Sequence, residues 1–254
     1  MFSNSDVIDA TRKFVCVRID SYESEENQEI VRSYLNGRFA NTAFCILAPD
    51  GKTRLLRGSR GPNQSFRNTD ELVSKLKSVA ENYESRGDVS QSTVPDFNSF
   101  RLALNVASAD QRVLVLLAAP EDQLAATEKR MRPLAWHSKV QGRFQFDLES
   151  GNSWKAPLSQ AADAKPGIYL IKPDTFGLHG EVLERLDLNA EPKTILEAMS
   201  KANTAYAKTT AKKIYNTHVQ EGRSKGKRIE LAMPFGEDRD GDGEIDQRRR
   251  GRRQ

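Results

Sequence analysis

Two rhythms of apolar positions run through this chain, one of period two and one near 3.6 residues. They recur in similar order in its two halves. The most strongly patterned stretch is Val113-Leu114-Val115-Leu116-Leu117-Ala118-Ala119, an unbroken apolar run followed by Pro120, Glu121 and Asp122. It is too short to span a bilayer and rich in Val and Leu, so it predicts a strand buried on both faces. Pro120 suits the first turn of a helix, and the two acids suit the positive N-terminal end of one. The expected unit is therefore a central strand running straight into a helix.

Before that strand, residues 4–12 fit a short helix with Ser5 as cap, and residues 14–20 a β-rich strand. Ser24 caps a helix carrying Ile30, Val31, Tyr34 and Leu35, and Gly37 is placed to end it. Residues 43–48 predict a second strand, Pro49-Asp50-Gly51 a turn, and residues 53–57 its hairpin partner. Asn68 with Glu71 opens a further helix bearing Leu72, Leu76, Val79 and Tyr83. Residues 86–97 are polar and turn-rich and are read as a linker. The second half follows with a helix over 100–109, the central strand, and a helix from Pro120 to about Val140 interrupted at Pro133. Strands are predicted over 143–148, 165–171 and 182–186, with a loop containing Trp154 between the first two. A closing helix carries Ile195, Met199, Ala202 and Tyr206 and extends towards Gly222.

In the second half this order of elements resembles the thioredoxin-like fold. The family sets a Cys-x-x-Cys pair where the buried strand meets the next helix, and faces it with a cis-proline that opens the antiparallel hairpin. Pro166 matches that proline, but the redox position reads Ala119-Pro120-Glu121-Asp122-Gln123, without sulfur. A thiolate is the nucleophile of disulfide exchange, so the resemblance implies a domain without that reaction. The first half resembles the family from just after its redox helix, with Thr42 at the proline position. Its central strand has no counterpart. Either the coding start lies upstream of Met1, which is the favoured reading, or the two strands pair in a reduced sheet. The expected fold class is thus α/β: two thioredoxin-like domains with mixed central sheets flanked by helices. Their bounds are 1–85 and 98–222, followed by a disordered tail over 223–254.

Composition changes this picture little. The chain of 254 residues has a net charge of +4, of which Lys208 onward supplies +5, so the basic character is assigned to the tail rather than to a folded face. No signal peptide or membrane-spanning run is visible, and the chain reads as soluble, its compartment unknown. Cys16 and Cys45 are expected mid-strand among large apolar residues, where such thiols are mostly inert, although a redox pair is conceivable if their strands meet. Trp136, His137, Trp154 and His179 are candidates for a shared pocket, with buried aromatics as the plainer reading. Asp238, Asp240, Asp242, Glu244 and Asp246 match the first nine positions of an EF-hand loop. Position 12 is Arg249 and no apolar helix follows, so any Ca²⁺ binding would be weak and no other cofactor is expected. The arginine run after Gln247 can meet nucleic acid or an anionic surface by charge alone.

The expected function is a non-catalytic thioredoxin-like protein that binds a protein or peptide partner in a groove formed by Pro120, Trp154, Pro166 and Gly167. The alternatives are a fragment of a thiol–disulfide oxidoreductase whose redox pair lies upstream of Met1, and a calcium-responsive protein acting through residues 238–246.

Overall fold

A computed structural model describes residues 1–2, 4–40, 42–84, 92–158 and 164–233. The chain divides into two compact units, Met1–Arg86 with Glu230–Gln254, and Gly87–Ile229. The EF-hand-like residues, the arginine run and residues 86–91 of the expected linker lie outside the described residues.

In the first unit, α1 (Ser5–Thr11) is capped by Asn4, whose side chain accepts the amides of Asp6 and Val7; Ser5 is the first helical residue rather than the cap. Ser24 caps α2 (Glu25–Tyr34), and the chain leaves that helix through Asn36 and Gly37, both with positive φ. Asn68 caps α3 (Thr69–Glu81) by accepting the Glu71 amide, while the Glu71 carboxylate accepts the amide of Arg67. Val7 and Ala10 pack with Ile46, Phe66, Leu72, Val73, Leu76 and Val79 in a small core.

The expected hairpin is reduced to two isolated antiparallel bridges, Phe44 with Ser59 and Leu47 with Arg54. Its turn is closed by Asp50, which accepts the amides of Lys52 and Thr53 at 2.8 Å and the Thr53 hydroxyl. Those bonds hold the Asp50 carboxyl down at about 2. The strand expected over 14–20 does not form: these residues have no regular secondary structure, join no ladder among the described residues, and leave Val15 and Val17 each 75% exposed. A β-rich composition makes a strand only where a neighbouring strand supplies the lateral bonds. No regular sheet is found among the described residues of this unit.

The second unit holds a four-stranded mixed sheet flanked by helices. α4 (Phe100–Ala109) leads into β1 (Val113–Ala118), which is followed by α5 (Glu121–Ala135) and β2 (Phe144–Glu149). A 3-10 turn at Ser153–Lys155 precedes β3 (Gly167–Pro173), β4 (Gly180–Leu186), α6 (Pro192–Thr209) and α7 (Tyr215–Ser224). The strand order is β2-β1-β3-β4, with β1 and β2 parallel and the other neighbours antiparallel. β1 is fully buried because both faces are covered. Val113, Val115 and Leu117 pack with Met131 and Leu134 of α5 and with Met199 and Tyr206 of α6. Leu114 and Leu116 pack with Phe100, Ala103, Leu104 and Trp154. This two-sided burial is what the unbroken apolar run encodes.

Two helix ends differ from expectation. α5 stops at Ala135, with Pro133 inside its last turn. α6 stops at Thr209, so the single long closing helix becomes two, and α7 carries the chain to Ser224, past the expected start of the tail. The β3–β4 turn is set by Asp174, whose carboxylate accepts the amides of Phe176 and Leu178 at 3.0 Å. Gly177, at φ +68°, lets that turn sit on α4: a Cβ there would lie 2.5 Å from the Asn105 Cα. At the outer edge of β2, the Leu148 amide donates to the Asp96 carboxylate at 3.1 Å. At the opposite edge, β4 carries Glu181, Glu184 and Arg185.

Candidate functional site

The register of β1 with β3 pairs Ala118 with Gly167, so Pro120 and Pro166 leave the sheet at the same end. Here Ala119 donates its amide to the Glu149 carbonyl at 3.0 Å, and Pro120 is the N-cap of α5. Glu121 and Asp122 are exposed in the first turn, where the helix end favours negative charge. Across from them Pro166 is exposed, and its peptide is trans, as is every other among the described residues, so the cis geometry expected there is absent. Gly167 is wedged so tightly that a Cβ would lie 2.7 Å from the Leu186 carbonyl oxygen and 2.8 Å from Arg185 Nε. The Lys165 carbonyl accepts the Tyr169 hydroxyl, and the Pro166 carbonyl accepts Arg185 Nη2 at 2.6 Å. Burial holds the Tyr169 hydroxyl above its ordinary pKa.

Three of the four expected groove positions therefore meet at this end, and the fourth does not line it. Trp154 is 2% exposed, with its ring 4.9 Å from that of Tyr169 and its indole N–H donated to the Gly151 carbonyl. It is part of the core beneath β3, because so large a ring on the α4 side has apolar area to bury. Trp136 packs on the other face of the sheet and donates its indole N–H to the carbonyls of Ser92 and Thr93. Trp136 and Trp154 thus belong to opposite layers, and the shared pocket does not form. His137 accepts the Lys139 amide, and His179 lies 3.6 Å from the Asp174 carboxylate.

Beside the sheet end, on the α5–α6 face, lies a small cavity of about 130 Å³. Met131, Leu134, Ile168 and Ile195 give it apolar lining, and Thr127 and Arg130 line it as well. The Arg130 guanidinium is bonded to the carbonyls of Leu188 and Ala190 and to the Asn189 side chain. An apolar cavity of roughly this size accommodates one benzene-sized group.

The residue that pattern reading missed is Asp147. It lies on the face of β2 opposite Phe144 and Phe146, is 0% exposed, and has the Asp96 side chain and the Ser99 backbone as polar neighbours. Burial, reinforced by the nearby carboxylates of Asp96 and Glu149, pushes its carboxyl up to about 9. Asp147 is thus a protonated acid at neutral pH. Asp96 also accepts the amides of Asn98 and Leu148, and Glu149 accepts the Phe100 amide at the start of α4. No set of three His, Cys, Asp or Glu side chains among the described residues is arranged to hold a metal ion. The one signal available in sequence was a charged residue inside an alternating strand.

Both cysteines are free thiols. Cys16 is exposed on a segment without regular secondary structure rather than buried in a strand, so that expectation is corrected. Cys45 is half-buried, donates to the Leu56 carbonyl at 3.5 Å, and has its thiol pKa raised by burial. The placing of positive charge is also corrected. Residues 208–228 contain seven Lys/Arg against one acid, Glu221, a net of +6, whereas residues 229–254 sum to −1. The basic excess thus lies on either side of α7 rather than in the tail: Lys208 lies in the last turn of α6, Lys212 and Lys213 lie between the helices, and Lys225, Lys227 and Arg228 follow α7, whose own Arg223 and Glu221 cancel. No helix among the described residues is long and apolar enough to cross a membrane.

No family model, curated protein or solved structure matches this chain.

Proposed function

We propose that the second unit is a thioredoxin-like module that has no redox chemistry and binds an extended segment of a protein partner at the Pro120–Pro166 end of its sheet. The observation that carries this reading is the strand order β2-β1-β3-β4, with a central β1 running into α5 through Ala119-Pro120-Glu121-Asp122. That is the arrangement the resemblance implies, with no sulfur at the junction. A helix N-terminus that presents carboxylates cannot attack a disulfide, but it can orient a bound chain.

The carbonyls of Lys165 and Pro166 already accept bonds from Tyr169 and Arg185. Recognition therefore rests less on added backbone pairing than on the cavity next to Ile168, which takes one large apolar side chain of the partner. The acids at the α5 N-terminus favour a basic residue next to that anchor.

Selection of a displayed peptide library on the full chain tests this. Selected peptides are expected to share one Leu, Met or Phe next to Lys or Arg. Ala190→Trp, which fills the cavity, is expected to weaken them at least about tenfold, the scale of a buried anchor. Cys16→Ser and Cys45→Ser are expected to leave binding unchanged. Insulin-reduction turnover that depends on either cysteine would overturn the reading, and so would peptide binding indifferent to Ala190→Trp.

A further inference from the structure

We infer that the surface formed by the end of α6, residues 210–214, α7 and residues 225–228 binds single-stranded nucleic acid, holding phosphates with its lysines and arginines and stacking a base on Tyr215.

The charge is concentrated and opposed by little. The net of +6 over residues 208–228 compares with +4 for the whole chain, so the remainder of the protein is net negative. Lys208, Lys212, Arg223, Lys227 and Arg228 are all exposed. Lys172 joins them at the end of α6, with its ammonium 3.1 Å from the Thr209 hydroxyl. Glu221 is the one acid within the segment, and it is paired to Lys225.

The array is held in place rather than loose. Gln111 donates to the Ala211 carbonyl at 2.7 Å and accepts the Lys213 amide at 3.0 Å. The Lys213 ammonium bonds the Ser108 carbonyl and hydroxyl at 2.7 and 2.8 Å, which fixes the connection to the C-terminal end of α4. α7 is seated on the β3–β4 turn by His218, whose ring stacks on Phe176 with centroids 5.1 Å apart. The His218 imidazole is held below its ordinary pKa by burial and then by the Lys213 ammonium, against the opposing Glu221 carboxylate.

At the start of α7, Tyr215 is 78% exposed and Ile214 72% exposed. A plain solvated face gains nothing from placing an aromatic and a β-branched residue in water. A basic surface with an aromatic platform does, because every base offers a π-face to stack. An anionic membrane fits less well: α7 reads Tyr-Asn-Thr-His-Val-Gln-Glu-Gly-Arg-Ser, which has no apolar face to lie in the headgroup region. The surface lies at the opposite end of β3 from Pro166, so it stands or falls independently of the peptide site.

The test is fluorescence anisotropy of a labelled oligothymidylate of about 20 nucleotides with the full chain, titrated against salt. Each neutralised phosphate contributes about −0.7 to the slope of log affinity on log salt for a single strand, so four or five contacts give a slope of about −3. The quadruple variant Lys208→Glu, Lys212→Glu, Lys227→Glu, Arg228→Glu is expected to lose more than about tenfold in affinity and to flatten that slope. Tyr215→Ala is expected to lose roughly tenfold with the slope unchanged. A full chain with Arg248, Arg249, Arg250, Arg252 and Arg253 replaced by Ser is expected to bind as before. Three results overturn the inference: binding that ignores Tyr215→Ala and the quadruple variant, binding lost only with the five arginines, or variant-sensitive binding to phosphatidylserine vesicles without binding to the oligonucleotide.

Discussion

Replacing Asp147 with Asn is expected to stabilise the second unit at neutral pH, with a gain that grows as pH rises. The carboxyl is fully enclosed and its folded-state pKa is pushed from 3.8 to about 9. Between those values the unfolded chain has released this proton and the folded chain still holds it. Stability must therefore fall as pH rises, by about 1.4 kcal/mol per pH unit. The contribution is fully present below pH 4, where both states are protonated, and is lost as pH climbs towards 9. At pH 7 the accumulated loss is about 4 kcal/mol, from the roughly three units above 3.8. Asn has nearly the same shape and no proton to lose, so the difference between variant and parent isolates this one group from every other titration. Both tryptophans lie in the second unit, so fluorescence during urea unfolding reports on it directly. The variant-minus-parent stability should climb with a slope near 1.4 kcal/mol per unit from pH 5 to pH 8. A flat difference would show that Asp147 ionises normally in the folded state, and the account of its burial would be wrong. Asp96→Asn removes one of the neighbouring negative charges and should lower the folded-state pKa of Asp147, so its difference from the parent should stay flat at low pH and climb only above that lowered value.

Two further outcomes follow from close contacts. Gly167→Val forces a Cβ to 2.7 Å from the Leu186 carbonyl oxygen and is expected to cost about 1–3 kcal/mol, read as a lower urea midpoint. Lys213→Met leaves the Ser108 carbonyl at the end of α4 without its cation and is expected to cost about 1–3 kcal/mol, with faster amide exchange in α7.

The second unit was readable in sequence because its signals are local and agree with one another. Ser99 precedes a helical period, the run from Val113 has no polar interruption, and the closing helix keeps its apolar residues on one face. The first unit was less readable because a strand is not a local object. Val15, Val17 and Ile19 have the composition of one, and nothing in their own sequence reveals whether a neighbour lies alongside. The division of the closing helix at Thr209 was hidden for a similar reason, since residues 210–214 are fixed by Gln111 and Ser108, about a hundred positions earlier. At the sheet end, Pro120, Pro166 and Gly167 were singled out by the resemblance to the thioredoxin-like arrangement, not by any signal in their own pattern, and the pairing of Ala118 with Gly167 brings them to one end. Trp154 was misplaced because pattern alone does not say which layer an aromatic in a loop will fill. Asp147 escaped notice because alternation marks a strand's two faces without showing that both are covered.

The borders of the sheet bear on how this protein behaves at high concentration. The Leu148 amide on the β2 side is taken up by the Asp96 side chain, and β4 offers charged residues on the other side. A sheet closed in this way gives an incoming strand from another molecule little to grip, so the second unit should resist fibre growth and strand exchange during crowding or partial heating. Any self-templating hazard in this chain is therefore concentrated in the exposed Val15, Val17 and Ile19 of the other unit, where a single added charge would be the economical remedy.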